Sequence, residues 1–253
     1  MGLTSEQRDQ WDRDGFIILR RFCEPGAMPA LMERVNEIAR AADCGDDVDP
    51  CLVMPEKALA AAAEPEMRLS KIFKLARQEP LFNAIATDPR LLDLLTDLLG
   101  LDVDNFLSQF IYKHPGALGQ PWHQDAWYFR MEPAVQVGAW LAVTAATPDN
   151  GPLSVVRGSH LEVVHEDVEW DERPEAGSFY VEIQGVDTDD ETVVLMEPGD
   201  LLLFHSRLRH RSTDNESDRS RAAMVYHFAV AETEGYIAPN HDWLPVLRDG
   251  TPV

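Results

Sequence analysis

The sequence predicts a mainly β fold, a sandwich or barrel, with α-helices in front of it. Two observations support this. Within the first hundred residues, apolar side chains recur with the 3.6-residue period of amphipathic helices. From Val103 onward they fall instead into short apolar and aromatic runs separated by Pro, Gly, Asn and Asp, the punctuation of many short strands. With 253 residues, 45% of them apolar, the chain can bury roughly 70 to 75% of its unfolded surface. One unit is therefore expected over 1–253: mainly helical over 1–100, β over 101–235, and a C-terminal tail over 236–253.

Taken in order, Thr4 and Gln7 make a capping-box pattern, so a short helix starts there and stops before Gly15. Phe16 to Leu19 reads as a strand. After Pro25-Gly26, the positions Met28, Leu31, Met32, Val35, Ile38, Ala39 and Ala42 trace one helical face. Residues 43–66 are irregular and acidic, and read as a surface loop bordering a site. Two further helices follow. In the second, Asp88 is the cap, Pro89 suits the first turn, leucines from Leu91 to Leu99 fill a broad face and Gly100 ends it. Strands are expected at Phe106 to Tyr112, Val135 to Thr144, Thr192 to Met196, Leu201 to His205 and Ala222 to Val230. The acidic stretch from Glu162 to Gly177 is a long connection among them.

Charge narrows the choice of partners. A net charge of -22, from 44 acidic against 22 basic side chains, opposes phosphate backbones and anionic lipid surfaces, so neither nucleic acid nor a membrane is an expected partner. No stretch approaches the roughly 20 apolar residues of a membrane helix, and Met1 to Asp14 is polar rather than signal-like. A cytoplasmic protein with a small-molecule substrate is expected. Cys23, Cys44 and Cys51 are an odd number, which suits free thiols in a reducing compartment; no Cys-x-x-Cys pair or nearby His supports a metal at them.

The densest chemical signal is Pro121-Trp-His-Gln-Asp-Ala-Trp-Tyr128. His123 and Asp125 stand two apart, so on a strand both would project from one face and could share an ion. A second His would complete the two-His-one-carboxylate triad of non-haem Fe(II) oxygenases, which leaves coordination positions open. His-x-Asp alone recurs by chance. Two candidates exist for the third ligand, His205 and His210, five residues apart and so on opposite faces of an unbroken strand; only one of them should point inward. Arg221 follows eleven residues after His210 and opens another apolar run. On a neighbouring antiparallel strand its guanidinium would face the same cavity and could fork onto a dicarboxylate. The segment from Asn150 to His160 reads as a turn, a strand and a turn.

These pieces together resemble the phytanoyl-CoA dioxygenase family. The match runs from Leu3-Thr-Ser-Glu-Gln and Asp14-Gly-Phe-Ile-Ile-Leu19, through Tyr112-Lys-His-Pro-Gly116 and His123-Gln-Asp125, to Gly199-Asp-Leu-Leu-Leu-Phe204, the stretch from His210 to Asn215, and Arg221. The resemblance implies a double-stranded β-helix, a cupin-like jelly roll flanked by helices. It implies Fe(II) held by His123, Asp125 and His210, the last chosen over His205 because the family's 2-oxoglutarate arginine then falls on Arg221. Ser212 matches a hydroxyl that assists the same carboxylate. Lys71, with Lys74 close enough to compete for the alignment, Gln109 and Trp140 match further 2-oxoglutarate contacts, although core packing alone would also explain Trp140. Arg157 stands where many relatives have Pro, and Asp125 disfavours halogenation, because halogenases of this superfamily have a small residue there.

The implied reaction consumes 2-oxoglutarate and O2, releases succinate and CO2 and hydroxylates a small organic molecule. Gln124, Trp127, Tyr128 and Phe129, beside the ligands, and His227, which shares strand parity with Arg221, are candidates for the substrate pocket; an ordinary core histidine is the other reading of His227. The basic cluster Arg207, Arg209, Arg211 and Arg219 is the one place where phosphates of a CoA ester could be read. Two rivals use the same ligands: a cupin-like hydrolase or isomerase, which does not need Arg221, and a non-catalytic binder.

Overall fold

The computed structural model describes residues 2–173, 180–235 and 238–253. The end of the expected acidic connection and residues 236–237 of the expected tail lie outside the described residues. Helix α1 (Ser5–Asp14) begins at the expected capping box: Gln7 donates its backbone N–H to Thr4 Oγ1 at 3.2 Å, and Thr4 donates its own to Gln7 Oε1 at 2.9 Å. Then come β1 (Phe16–Leu19), α2 (Met28–Asp43), β2 (Leu52–Pro55), β3 (Leu69–Phe73), α3 (Leu75–Gln78), α4 (Pro80–Ala86) and α5 (Pro89–Leu99). Asp88 caps α5 by accepting from Arg90 N at 2.8 Å, as its position predicts.

The β part runs through β4 (Val103–Lys113), helix α6 (Asp125–Phe129), β5 (Met131–Glu132), β6 (Val137–Ala142), β7 (Leu153–Val156), β8 (Val168–Trp170), β9 (Val181–Ile183) and β10 (Glu191–Val194). It continues with β11 (Leu201–His205), β12 (His210–Ser212), β13 (Arg221–Val230), β14 (Glu234–Gly235), β15 (Leu244–Arg248) and β16 (Thr251–Pro252). One curved antiparallel sheet has the order β1-β11-β6-β13-β4-β15-β16, with β3 also on β4 and β2 on β3. A smaller sheet, β10-β7-β12, faces it. This is the mainly β, helix-flanked jelly roll that the resemblance implies.

Strand alternation decides what each face of the large sheet covers. Along β13, Ala222, Met224, Tyr226 and Phe228 pack with Leu31, Val35, Ile38, Leu91, Leu92 and Leu95 of the helices. The other parity, Ala223 and Val225, packs inward with Trp140, Leu202, Phe204 and Val155. Arg221 and His227 share that inward parity, so two polar side chains stand on the face that looks into the barrel.

Three expectations need correction. Residues 43–66 are not all loop, because β2 lies within them; and β3, read within the helical part, pairs with β4 through Lys71↔Ile111 to Phe73↔Gln109. The last residues are more than a tail: β15 pairs with β4, Leu244 opposite Asn105. Two of these short segments, β3 and β15, are recruited by the long strand β4, and β2 adds onto β3 in turn, a tertiary preference that local pattern does not contain. No helix among the described residues is long and apolar enough to cross a membrane. Leu95, fully buried in the layer between helices and sheet, is expected to cost about 2–5 kcal/mol when replaced by Ala; urea unfolding measures it, and retention of wild-type stability would refute this account of the layer.

Candidate active site

Two backbone hydrogen bonds build the centre. His123 N donates to His210 O at 2.9 Å and His210 N donates to His123 O at 3.0 Å, an isolated antiparallel bridge that adds His123 to the edge of β12 and sets the two rings 4.1 Å apart. Each imidazole Nδ1 lies against a backbone carbonyl, His123 against Pro121 O at 2.8 Å and His210 against Leu208 O at 2.9 Å. A carbonyl can only accept, so both Nδ1 atoms hold the proton and both Nε2 lone pairs are free for a ligand. Asp125 Oδ1 lies 3.7 Å from His123 Nε2 and 3.8 Å from His210 Nε2. The three donor atoms lie within 4.8 Å of one another. An ion bonded at about 2.1 Å to each donor can span such gaps, and the donor types are those of a non-haem iron site.

The route to this geometry differs from the expected one. His123 and Asp125 do not alternate along a strand: Gln124 is extended, with φ -122 and ψ 130, and Asp125 is the first residue of α6. The carboxylate is swung beside His123 by a strand-to-helix turn. That turn is held by Ala126 N donating to Ser206 O at 2.9 Å. Electrostatics keeps the set ready for a cation. Burial, then the neighbouring His210, pushes His123 down to about 3, so it stays neutral. Burial alone would raise Asp125, but the three surrounding imidazoles His210, His227 and His123 hold it below its ordinary value.

The choice between His205 and His210 is resolved by a break in the chain. Strand β11 ends at His205 and β12, in the other sheet, begins at His210. His205 turns toward the helices, 6.1 Å from the Trp11 ring and 5.5 Å from His160, with Nδ1 accepting from Arg207 N at 3.0 Å.

A cavity of about 80 Å³ leads from the triad to Arg221, with Ser212, Trp140, Lys71 and Gln109 all on its wall. Arg221 is 2% exposed; its guanidinium lies 5.5 Å from the Trp140 ring centre and donates to Gly151 O at 3.0 Å, while Nε has no partner. Burial lowers its pKa to about 10. Lys71 Nζ sits 5.0 Å over the Tyr180 ring.

A residue without an assigned role, Lys113, lines the same cavity. It is the direct cross-strand partner of Arg221, and its Nζ donates to Ser212 Oγ at 2.7 Å and to Thr213 O at 2.5 Å. Burial first, and then Arg221, push its pKa far down. Gly151 is moulded to it: a Cβ there would stand 2.3 Å from Lys113 Cδ, so no larger residue fits. The available signal was parity, since Lys113 alternates with Gln109 along β4. Two buried basic groups directly opposite each other destabilise a sheet unless something lies between them. Among the described residues, no carboxylate lies within ion-pair distance of either.

A second cavity, of about 580 Å³, opens from the other side of the triad and takes in Tyr128, Phe129 and His227 of the expected pocket residues. His227 Nε2 lies 3.4 Å from Gln109 Nε2, while its Nδ1, 3.7 Å from Asp125 Oδ2, has no hydrogen-bond partner. Two expected pocket residues line neither cavity. Gln124 is fully buried, donating to Arg207 O at 2.6 Å and accepting from His165 N at 2.9 Å, and so ties two loops together. Trp127 is on the outer side of α6, edge-on to Trp170 at 6.0 Å and under Arg130. The position of Trp127 follows from α6 being helical, which rotates it away from Asp125, while Gln124, still extended, points to the face opposite His123.

A jelly roll with a two-His-one-carboxylate centre and a cationic cavity floor defines the class of cupin-like non-haem oxygenases. Residues 11–223 match the phytanoyl-CoA dioxygenase (PhyH) family, and the chain belongs to it. A probable phytanoyl-CoA dioxygenase of Caenorhabditis elegans is 30% identical over 93% of this chain and 78% of its own length. Among solved structures, the non-heme monooxygenase ThoJ superposes with a TM-score of 0.72 at 20% identity, covering 96% of this chain and 85% of that one. EctD from S. alaskensis, with 2-oxoglutarate and 5-hydroxyectoine, gives 0.65 at 22% identity over 90% and 76%.

One prediction concerns His205. Burial and Arg207 push it down to about 3, against 6.5 in an open chain. The unfolded chain therefore binds the extra proton, and the stability conferred by neutral His205 is present above pH 6.5 and lost as pH falls toward 3. Between pH 6.5 and 5 the wild type should lose roughly 2 kcal/mol more than His205→Gln. Urea midpoints at the two pH values compare them, and parallel losses would contradict the assignment.

Proposed function

We propose that this protein is an Fe(II)- and 2-oxoglutarate-dependent dioxygenase that hydroxylates a small organic molecule with release of succinate and CO2. His123, Asp125 and His210 would hold the iron. The observation behind this reading is the pair of buried basic groups on the wall of the triad's cavity: Arg221 and its cross-strand partner Lys113 call for an anion, and a keto diacid reaching from the metal supplies one. Bound iron and 2-oxoglutarate supply the oxidising chemistry. The chain's own part is placement. Arg221 would take the far carboxylate in a fork, with Ser212 Oγ turned toward it by Lys113, and Trp140 would hold the guanidinium plane. Gln109 and Lys71, on the wall between the two cavities, are suited to the keto-acid end. Tyr128, Phe129 and His227 would exclude water and border the substrate.

A zinc hydrolase or an isomerase built on the same three ligands gives no account of the buried basic pair Arg221 and Lys113, and a non-catalytic binder would bind 2-oxoglutarate without releasing succinate. Anaerobic titration of the Fe(II) protein with 2-oxoglutarate, followed by admission of O2 and assay of succinate, separates the three readings. Arg221→Ala is expected to weaken 2-oxoglutarate about a hundredfold, equivalent to about 3 kcal/mol, and Lys113→Met about tenfold. Because it removes one of two opposed buried basic groups, Lys113→Met should also raise the melting temperature of the apoprotein. Affinity unchanged in both variants would remove the oxygenase reading.

A further inference from the structure

We propose that the substrate is an uncharged, mainly apolar small molecule with one or two hydrogen-bonding groups, and not a CoA thioester. The proposal rests on the oxygenase reading, since it identifies the larger cavity beside the triad as the substrate site.

That cavity, about 580 Å³, lies between β2, β3, α6 and residues 238–241, a size suited to a compact ligand. Met54, Phe73, Leu107, Tyr128 and Phe129 form its body. Leu52 and Val53, 39% and 37% exposed, continue the apolar surface to the rim. Binding in such a space is driven by removing apolar ligand surface from water. Its neutral polar groups include the Gln109, Gln120 and Asn240 amides, the Tyr180 hydroxyl and His241, which burial pushes down to about 4 and so keeps uncharged. They can orient a hydroxyl, carbonyl or amide.

The distribution of charge argues against a cation and a CoA ester, and the one cation on the wall among the described residues, Lys71, is assigned in the proposed function to 2-oxoglutarate, which leaves none for an anionic substrate. Among the described residues lining the cavity, the charged side chains are Asp125, assigned to the metal, and Lys71, which also borders the 2-oxoglutarate cavity. A cationic substrate would meet no free carboxylate there, and an ionised group buried without a partner is strongly disfavoured. A CoA ester needs several cations for its phosphates. The arginine cluster that could have supplied them lines no part of this cavity, and three of its four members are engaged in ion pairs. Arg209 pairs with Glu162, Arg211 with Glu191 at 2.8 Å while stacked on Trp122, and Arg219 with Asp149 at 3.1 Å. A net charge of -22 repels phosphates further.

The test uses one aromatic body carrying four head groups: 2-naphthol, 2-naphthoate, 2-naphthylmethylammonium and 2-naphthoyl-CoA. Their fluorescence is titrated with the full chain, loaded anaerobically with Fe(II) and 2-oxoglutarate. The neutral naphthol is expected to bind at least tenfold more tightly than the cation or the CoA ester. Met54→Lys, at the edge of the cavity, is expected to weaken naphthol and favour naphthoate, reversing their order. Leu107→Trp, which fills the cavity, is expected to abolish naphthol binding while 2-oxoglutarate still raises the melting temperature. Tighter binding of the CoA ester than of naphthol, or naphthol binding indifferent to both variants, overturns the proposal. Absence of 2-oxoglutarate stabilisation in the unsubstituted protein overturns the oxygenase reading itself, and the proposal with it.

Discussion

A guanidinium and a lysine amine stand as direct neighbours on two paired strands, both buried. Left alone, this arrangement would oppose folding, since buried basic groups lose hydration and repel. The surroundings are organised to tolerate it. Gly151 supplies a carbonyl to Arg221 and, lacking a side chain, leaves a slot for Lys113. Ser212 and the Thr213 carbonyl take the lysine's protons, and Trp140 offers the arginine a ring face. The metal triad at the opposite end is of contrary character, with a carboxylate held ionised and a neutral imidazole. The cavity is thus polarised along its length: a seat for a cation at one end and for an anion at the other.

Strand parity is the means by which a sheet delivers both a dry helix-facing side and a charged inner side. Much of this was legible beforehand. The helix caps at Thr4 and Asp88, the strands at Phe16 and Leu201 and the shared parity of Arg221 and His227 all follow from local pattern, because each depends on neighbours in sequence. The triad and Arg221 were legible through motif spacing joined to family resemblance. The spacing alone left His205 and His210 unresolved.

What was not legible depends on contacts distant in sequence. That His205 closes one sheet and His210 opens another depends on the loop between them being cinched to Gln124 and Gln136, neither of which has a local signature. Asp125 was placed on a strand because His-x-Asp spacing fits one, yet the pair meets through a helix start. This error explains why Trp127, which would share the face of Asp125 on a strand, was expected in the pocket and is absent from it. Strands β3 and β15 form on β4, and β2 forms on β3. Lys113 drew no attention because a lysine beside a turn is ordinarily solvated; only its pairing with Arg221 makes it unusual.

The wall formed by residues 52–54 and 238–241 has a wider implication. These stretches flank the reaction centre yet provide none of the proposed metal ligands and none of the groups at the anionic seat. Residues 52–54 belong to β2 and pair with β3, but residues 238–241 stand outside every strand. On the proposed reading, exchanging that stretch alone would alter specificity without disturbing the sheet that carries His210 or the strand that carries Arg221.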